Sequence, residues 1–139
     1  MSPNGNDAGE VDIVICDNED NPIALLEGLK LSSFKKEYID AHIQKVLTSY
    51  NPFGCQYAHI LIYATAKKFD ELWKKIMLHM HEFNFPYEVA DGMKEIGTAY
   101  TDTRHARAEL NRNGKKISVH LWAISMAGEY GHLSRFSTN

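Results

Sequence analysis

Alternating apolar and polar positions, rich in Val and Ile, make "EVDIVIC" (residues 10–16) a predicted β-strand. "DNEDN" then supplies turn residues, and Pro22 opens a second predicted strand, "IALLEGLKL" (23–31). The period changes in "SSFKKEYIDAHIQKVLTSY" (32–50), where Ile39, Ile43, Val46, Leu47 and Tyr50 recur at helical spacing behind a candidate N-cap at Ser33. "NPFG" ends that helix, and "AHILIYATA" (58–66) is apolar enough for a central strand. Thr65 is placed to cap a second helix whose buried stripe runs through Phe69, Trp73, Ile76, Met80 and Phe83. From Asn84 to about Thr101, Pro86, Gly92 and Gly97 break every pattern, which predicts a long loop. "DTRHARAEL" (102–110) predicts a short helix, "NRNGK" an Asn-Gly turn, and "KISVHLWAISM" (116–126) a fourth strand.

A hairpin followed by a helical crossover to another strand implies an α/β fold, a mixed β-sheet opened by a β-hairpin and flanked by helices. The expected organisation is a flexible lead-in at 1–8, a single domain over 9–126 and a C-terminal tail at 127–139. The lead-in is also compatible with a junction to a longer parent protein. The chain has 139 residues, 44% hydrophobic and 24% charged, which suits one soluble globular domain with a real core. Its formal net charge of -3 excludes a global basic field, so any nucleic-acid contact must use a local patch. Cys16 and Cys55 are far apart and lack a CxxC partner, which argues against a disulfide framework and a cysteine zinc site. "MSPNGNDAGE" has no apolar core, so no secretory signal is read there, and no run is long enough to span a bilayer. A cytoplasmic location is the expectation.

The charges inside the hairpin carry the chemistry. With its turn centred between Glu19 and Asp20, Cys16 faces Ile23 and Asp12 faces Glu27. Opposed residues have Cβ atoms roughly 4.5–5.5 Å apart, and like charges so placed destabilise a sheet. Glu10 projects from the same face as Asp12. A hard divalent cation would neutralise this group, and a nearby lysine would suit a phosphate-bearing substrate.

"GEVDIVI…ALLEGLK" resembles the hairpin of the restriction-endonuclease-like, PD-(D/E)XK, nuclease superfamily, and the order of elements from residue 9 to residue 64 is similar to that family's core. The resemblance implies Asp12 and Glu27 as ligands of Mg²⁺ or Mn²⁺, Lys30 as the catalytic lysine and Glu10 as an auxiliary acid. The pattern departs from the family in having two residues, Gly28 and Leu29, between acid and lysine instead of one. No helix pattern precedes the first strand. On a regular strand Glu27 and Lys30 point to opposite faces, so their convergence requires a β-bulge at Gly28–Leu29, a position that glycine suits.

Arg104, Arg107, Arg112, Lys115 and Lys116 form a basic cluster, with Arg104 and Arg107 on one helix face. Lys35 and Lys36 begin the helix after the motif. This pattern fits phosphate contact, or equally a solvated helix end and turn. His79 and His81 lie two apart in a helix and diverge, so they are not a helical zinc pair. His42 sits at the edge of its helix's apolar stripe, where it packs or borders the site. His59 and His120 read as partly buried strand residues, and Trp73 and Trp122 as core residues.

The leading expectation is a metal-dependent nuclease domain that hydrolyses nucleic-acid phosphodiesters, with DNA ahead of RNA as target. A role in prokaryotic defence or restriction is what the family resemblance implies. The alternative is a catalytically silent relative that acts as an interaction or oligomerisation module, either as a homo-oligomer or within a multidomain parent. A small-molecule-binding domain has no glycine-rich phosphate loop to support it.

Overall fold

The computed structural model describes residues 13–49 and 54–126. Eight elements follow in the order β1 (Ile13–Cys16), β2 (Pro22–Leu31), α1 (Lys36–Leu47), β3 (Tyr57–Ala64), α2 (Phe69–Met80), β4 (Glu88–Ile96), β5 (Thr103–Arg112) and β6 (Lys115–Ser125). The strands form one sheet in the order β1-β2-β3-β6-β5-β4. β2, β3 and β6 run parallel at its centre, and antiparallel hairpins complete both sides. The expected mixed sheet with an opening hairpin and flanking helices is therefore present.

Alternation assigns the two faces. Leu29 and Leu31 of β2, Ala58, Ile60, Ile62 and Ala64 of β3, and Ile117, Val119, Leu121 and Ala123 of β6 belong to one buried core. Ile39, Ile43, Val46 and Leu47 of α1 and Leu72, Trp73, Ile76 and Met80 of α2 join the same core, so both helices cover one face of the sheet. The other face carries the intervening residues and is covered by neither helix. This explains why the central strands are not apolar throughout: only one of their faces is under helices.

The first hairpin keeps the expected pairing over Ile13–Ile15, with Ile13 opposite Leu26. Cys16 lies opposite Pro22 rather than Ile23, because register shifts between Ile15 and Cys16. The turn supplies the reason. The Asp17 carboxylate accepts the backbone N–H of Glu19 at 2.8 Å and of Asn21 at 2.9 Å, and Asp20 adopts a left-handed φ of 64°. Those backbone N–H groups hold the Asp17 carboxyl below its ordinary range.

Both helices begin later than expected. Ser33 lies in a bend, α1 starts behind Lys35 without a side-chain cap, and Phe34 packs on the core instead. Thr65 does not cap α2 either. Its N–H donates to the Leu31 carbonyl at 2.9 Å, tying the end of β3 to β2, and α2 starts after Lys68. The α2 stripe holds at Trp73, Ile76 and Met80, with Phe69 and Phe83 partly buried beside it.

Two elements differ in kind. The loop expected over 84–101 contains β4, whose one buried residue is Met93. An edge strand covered by little else lacks the apolar alternation that marks a strand. "DTRHARAEL" is not a helix but the body of β5. Its Ala, Arg and Glu favour helix locally, yet pairing on both sides with β4 and β6 overrides that preference. The Asn-Gly turn is as expected: Asn113 and Gly114 take positive φ of 53° and 87° and join β5 to β6.

Truncating Ile60, fully buried in the core, is expected to cost about 2–5 kcal/mol as Ile60→Ala. Leu78→Ala, at an exposed site on α2, should stay within about 0.5 kcal/mol of the parent. Urea unfolding of the two variants measures the contrast. Similar losses would show that Ile60 does not anchor the core.

Candidate functional site

Each residue singled out from the hairpin and the basic cluster has a definite address, apart from Glu10 and Asp12, which lie outside the described residues. Glu27 points to the helix-covered face and is 5% exposed. Its Oε2 lies 2.9 Å from Nδ1 of His42 on α1. Tyr38, one turn earlier, sets its ring edge-on to His42 at 4.6 Å. Removing this carboxylate would thus strip His42 of a partner.

Lys30 is on the opposite face. β2 and β3 pair without interruption from Ala24↔Tyr57 to Leu31↔Ala64, including Glu27↔Ile60, Gly28↔Leu61, Leu29↔Ile62 and Lys30↔Tyr63. The bulge expected at Gly28–Leu29 is absent, and regular alternation sends Lys30 away from Glu27. Lys30 is exposed and lines a shallow open groove of about 250 Å³ with Ile13, Leu26, Gly28, Leu61 and Tyr63. The residue sharing a face with Glu27 is Leu29, which is buried in the core.

These positions bear on the implied Mg²⁺ or Mn²⁺. A divalent cation of that kind needs open oxygen ligands and room for water. Glu27 is enclosed and shares Oε2 with His42, and Lys30 lies across the sheet. Among the described residues, no three His, Cys, Asp or Glu side chains are grouped to hold a metal ion. Asp12, the other expected ligand, lies outside the described residues, so only Glu27 of that pair is seen.

The basic cluster is divided as well. Arg104 and Arg107 are on a strand, where a spacing of three puts them on opposite faces. Arg104 reaches the start of α2, donating to Asp70 at 2.6 Å and lying 5.3 Å above the Phe69 ring. Arg107 is on the uncovered face, 3.2 Å from Glu109, and Lys116 approaches the same carboxylate at 3.8 Å. Arg112 lies over the Tyr87 ring at 5.0 Å and pairs across the turn with Lys115. Lys35 is exposed at the start of α1. Several of these cations are already matched by carboxylates or aromatic rings, and together they form no single phosphate-binding face.

The uncovered face holds a group that local patterning did not assemble. His59 of β3, His120 and Trp122 of β6, and His105 of β5 form a closed circuit. The Trp122 indole N–H donates to His59 Nδ1 at 3.1 Å, and His105 Nε2 meets His120 Nδ1 at 2.8 Å. His105 stacks flat on Trp122 with centroids 3.6 Å apart, and His59 stacks on His120 at 4.6 Å. Because an indole can only donate, His59 Nδ1 must accept, which places a neutral His59's proton on Nε2. His105 was hidden by the helical reading of its segment. The usable signal was period two: His105, Arg107 and Glu109 on one strand, and Ser118, His120 and Trp122 on the next.

The four rings pack against one another in a stacked row. Its chemistry is that of neutral imidazoles. Burial lowers the proton affinity of all three histidines. Neighbouring His59, His105 and Arg107 add to burial at His120, which falls from 6.5 to about 4. Elsewhere, His79 on α2 binds Asp40 on α1 at 2.5 Å, while His81 is exposed, so these two histidines do diverge. Cys16 is exposed and Cys55 is buried. No helix among the described residues is long and apolar enough to cross a membrane.

No family model, curated protein or solved structure matches this chain.

The circuit sets a pH dependence. The unfolded chain takes up protons at these histidines below about 6.5, the ordinary value, whereas the folded chain resists. Their contribution is therefore complete above about pH 6.5 and is lost as pH falls towards about 4, the value for folded His120. Thermal melts between pH 7.5 and 4 are expected to show this decline, and His120→Gln should flatten it. An equally steep decline in that variant would place the sensitivity elsewhere.

Proposed function

We propose that this chain is a catalytically silent α/β domain that acts as an interaction or oligomerisation module. One observation carries the reading: Glu27 and Lys30, the acid and lysine of the nuclease-like hairpin, lie on opposite faces of an unbroken ladder. A hydrolytic site of the implied kind needs both beside one phosphate. The Glu27 carboxylate instead joins β2 to α1 through His42, a structural task.

The nuclease reading retains one supporting observation, the pairing of Ile13 with Leu26, which is the offset expected for its hairpin. In that reading Asp12 and Glu27 hold Mg²⁺ or Mn²⁺, DNA is the preferred target, and Lys30 takes no part. One assay separates the two readings. Purified protein is incubated with mixed single- and double-stranded DNA and RNA in Mg²⁺, Mn²⁺ or EDTA. The silent module gives no divalent-dependent cleavage, whereas cleavage abolished by Glu27→Gln would overturn it.

Stability provides a second check. Glu27→Gln removes the charge opposite His42 and is expected to cost about 1–3 kcal/mol. Lys30→Ala, at an exposed site, should change stability by no more than about 0.5 kcal/mol. Equal costs in denaturant titration would contradict the structural role given to Glu27.

A further inference from the structure

The two edges of the sheet are built differently. β4 carries Glu88, Asp91, Lys94 and Glu95, and its ladder with β5 breaks register twice. Charges and bulges are the devices that keep a sheet edge from pairing with another strand. β1 carries no charge, and its register shift falls at its end, between Ile15 and Cys16. Ile13, Val14 and Ile15 are 53%, 45% and 45% exposed, and among the described residues no strand lies outside them. Exposed Ile23 on β2 adds to this apolar edge, and the groove beside Lys30 continues it across the uncovered face.

We infer that β1 is the docking edge for a second copy of this chain, paired antiparallel about a two-fold axis at Val14. This rests on the interaction-module reading and names its partner. The second copy is selected by self-complementarity. In this register Val14 lies opposite Val14 of the second copy, and Ile13 opposite its Ile15, so each pair is β-branched and uncharged. Such cross-strand pairs stabilise an antiparallel ladder, whereas opposed like charges weaken it. The two-fold arrangement also closes: each copy's remaining edge is the charged, irregular β4, so association stops at two. β1 has only four residues, a short contact compared with the roughly 1,200–2,000 Å² of a standard interface. The dimer is accordingly weak, with a dissociation constant on the order of micromolar.

Sedimentation equilibrium of the full chain over a broad micromolar range tests this. A monomer–dimer equilibrium is expected. Val14→Lys sets two ammonium groups against each other at the axis and should raise the dissociation constant by about tenfold or more. Glu95→Lys, on the opposite edge, should leave it unchanged. Thermal melts establish that both variants are folded. A spin label on the exposed Cys16 of the parent adds a geometric readout, because the antiparallel register puts the two Cys16 Cα atoms about 15 Å apart. A parent that stays monomeric throughout the range overturns the inference, as does a dimer that survives Val14→Lys, one lost in Glu95→Lys, or a label distance far from that value. The cleavage assay on the same samples keeps the two ideas apart. Cleavage sinks the silent-module reading, whereas a monomer without cleavage sinks only the β1 dimer.

Discussion

The uninterrupted parallel ladder of β2, β3 and β6 is the constraint on which the molecule depends. Every residue of these strands goes to one of two faces, with no bulge to exchange them. Two amphipathic helices cover one face, and the core forms between them and the sheet. The second face keeps the remaining side chains, and their chemistry follows from having neither full burial nor full solvent. A one-residue slip anywhere in this ladder would move Ile60 and Leu121 outward and His59 and Trp122 into the core, which is why register is tightly specified.

Polar groups near the interior are arranged in partnerships that fit this division. On the helix-covered side, Glu27 meets His42 and, between the helices, Asp40 meets His79. Both pairs connect elements distant in sequence, joining sheet to helix and helix to helix. Removing one member leaves a desolvated group without that partner, a much larger penalty than losing an exposed ion pair. On the uncovered side the histidines solve a different problem. They remain neutral, satisfy one another and the indole, and pack ring on ring across three neighbouring strands. Their neutrality is what lets three imidazoles sit together.

Period-two alternation makes β2, β3 and β6 legible almost to the residue, because one face of each is under the helices and must be apolar. The same logic fails at β4, where Met93 alone is buried and alternation has nothing to record. It fails at β5 for the opposite reason: Ala106, Ala108 and Leu110 do alternate, but small residues among Arg and Glu satisfy a helical pattern equally well. That one misreading also placed Arg104 and Arg107 together and concealed His105. Of the hairpin chemistry, the Ile13–Leu26 offset was readable, since a turn centred between Glu19 and Asp20 fixes it. The partner of Glu27 was not, because His42 meets it only through the packing of α1 on the sheet.

The separation of Glu27 from Lys30 is held by packing and not by the identity of one residue. The position that shares the face of Glu27 is occupied by Leu29, 3% exposed and part of the core beneath the helices. An ammonium there would lose nearly all its hydration, and a lysine so enclosed is driven towards its neutral form. Imposing the nuclease superfamily's acid-to-lysine spacing by substitution would therefore give a buried amine in place of a core leucine, not an accessible cation beside a phosphate. Inserting a bulge instead would reverse the faces of Lys30 and Leu31, bringing a solvated charge into the core and exposing a fully buried leucine. Either route costs several kcal/mol against the small net stability of a domain this size. The geometry that keeps this hairpin from assembling acid and lysine is thus the geometry that lets the domain fold.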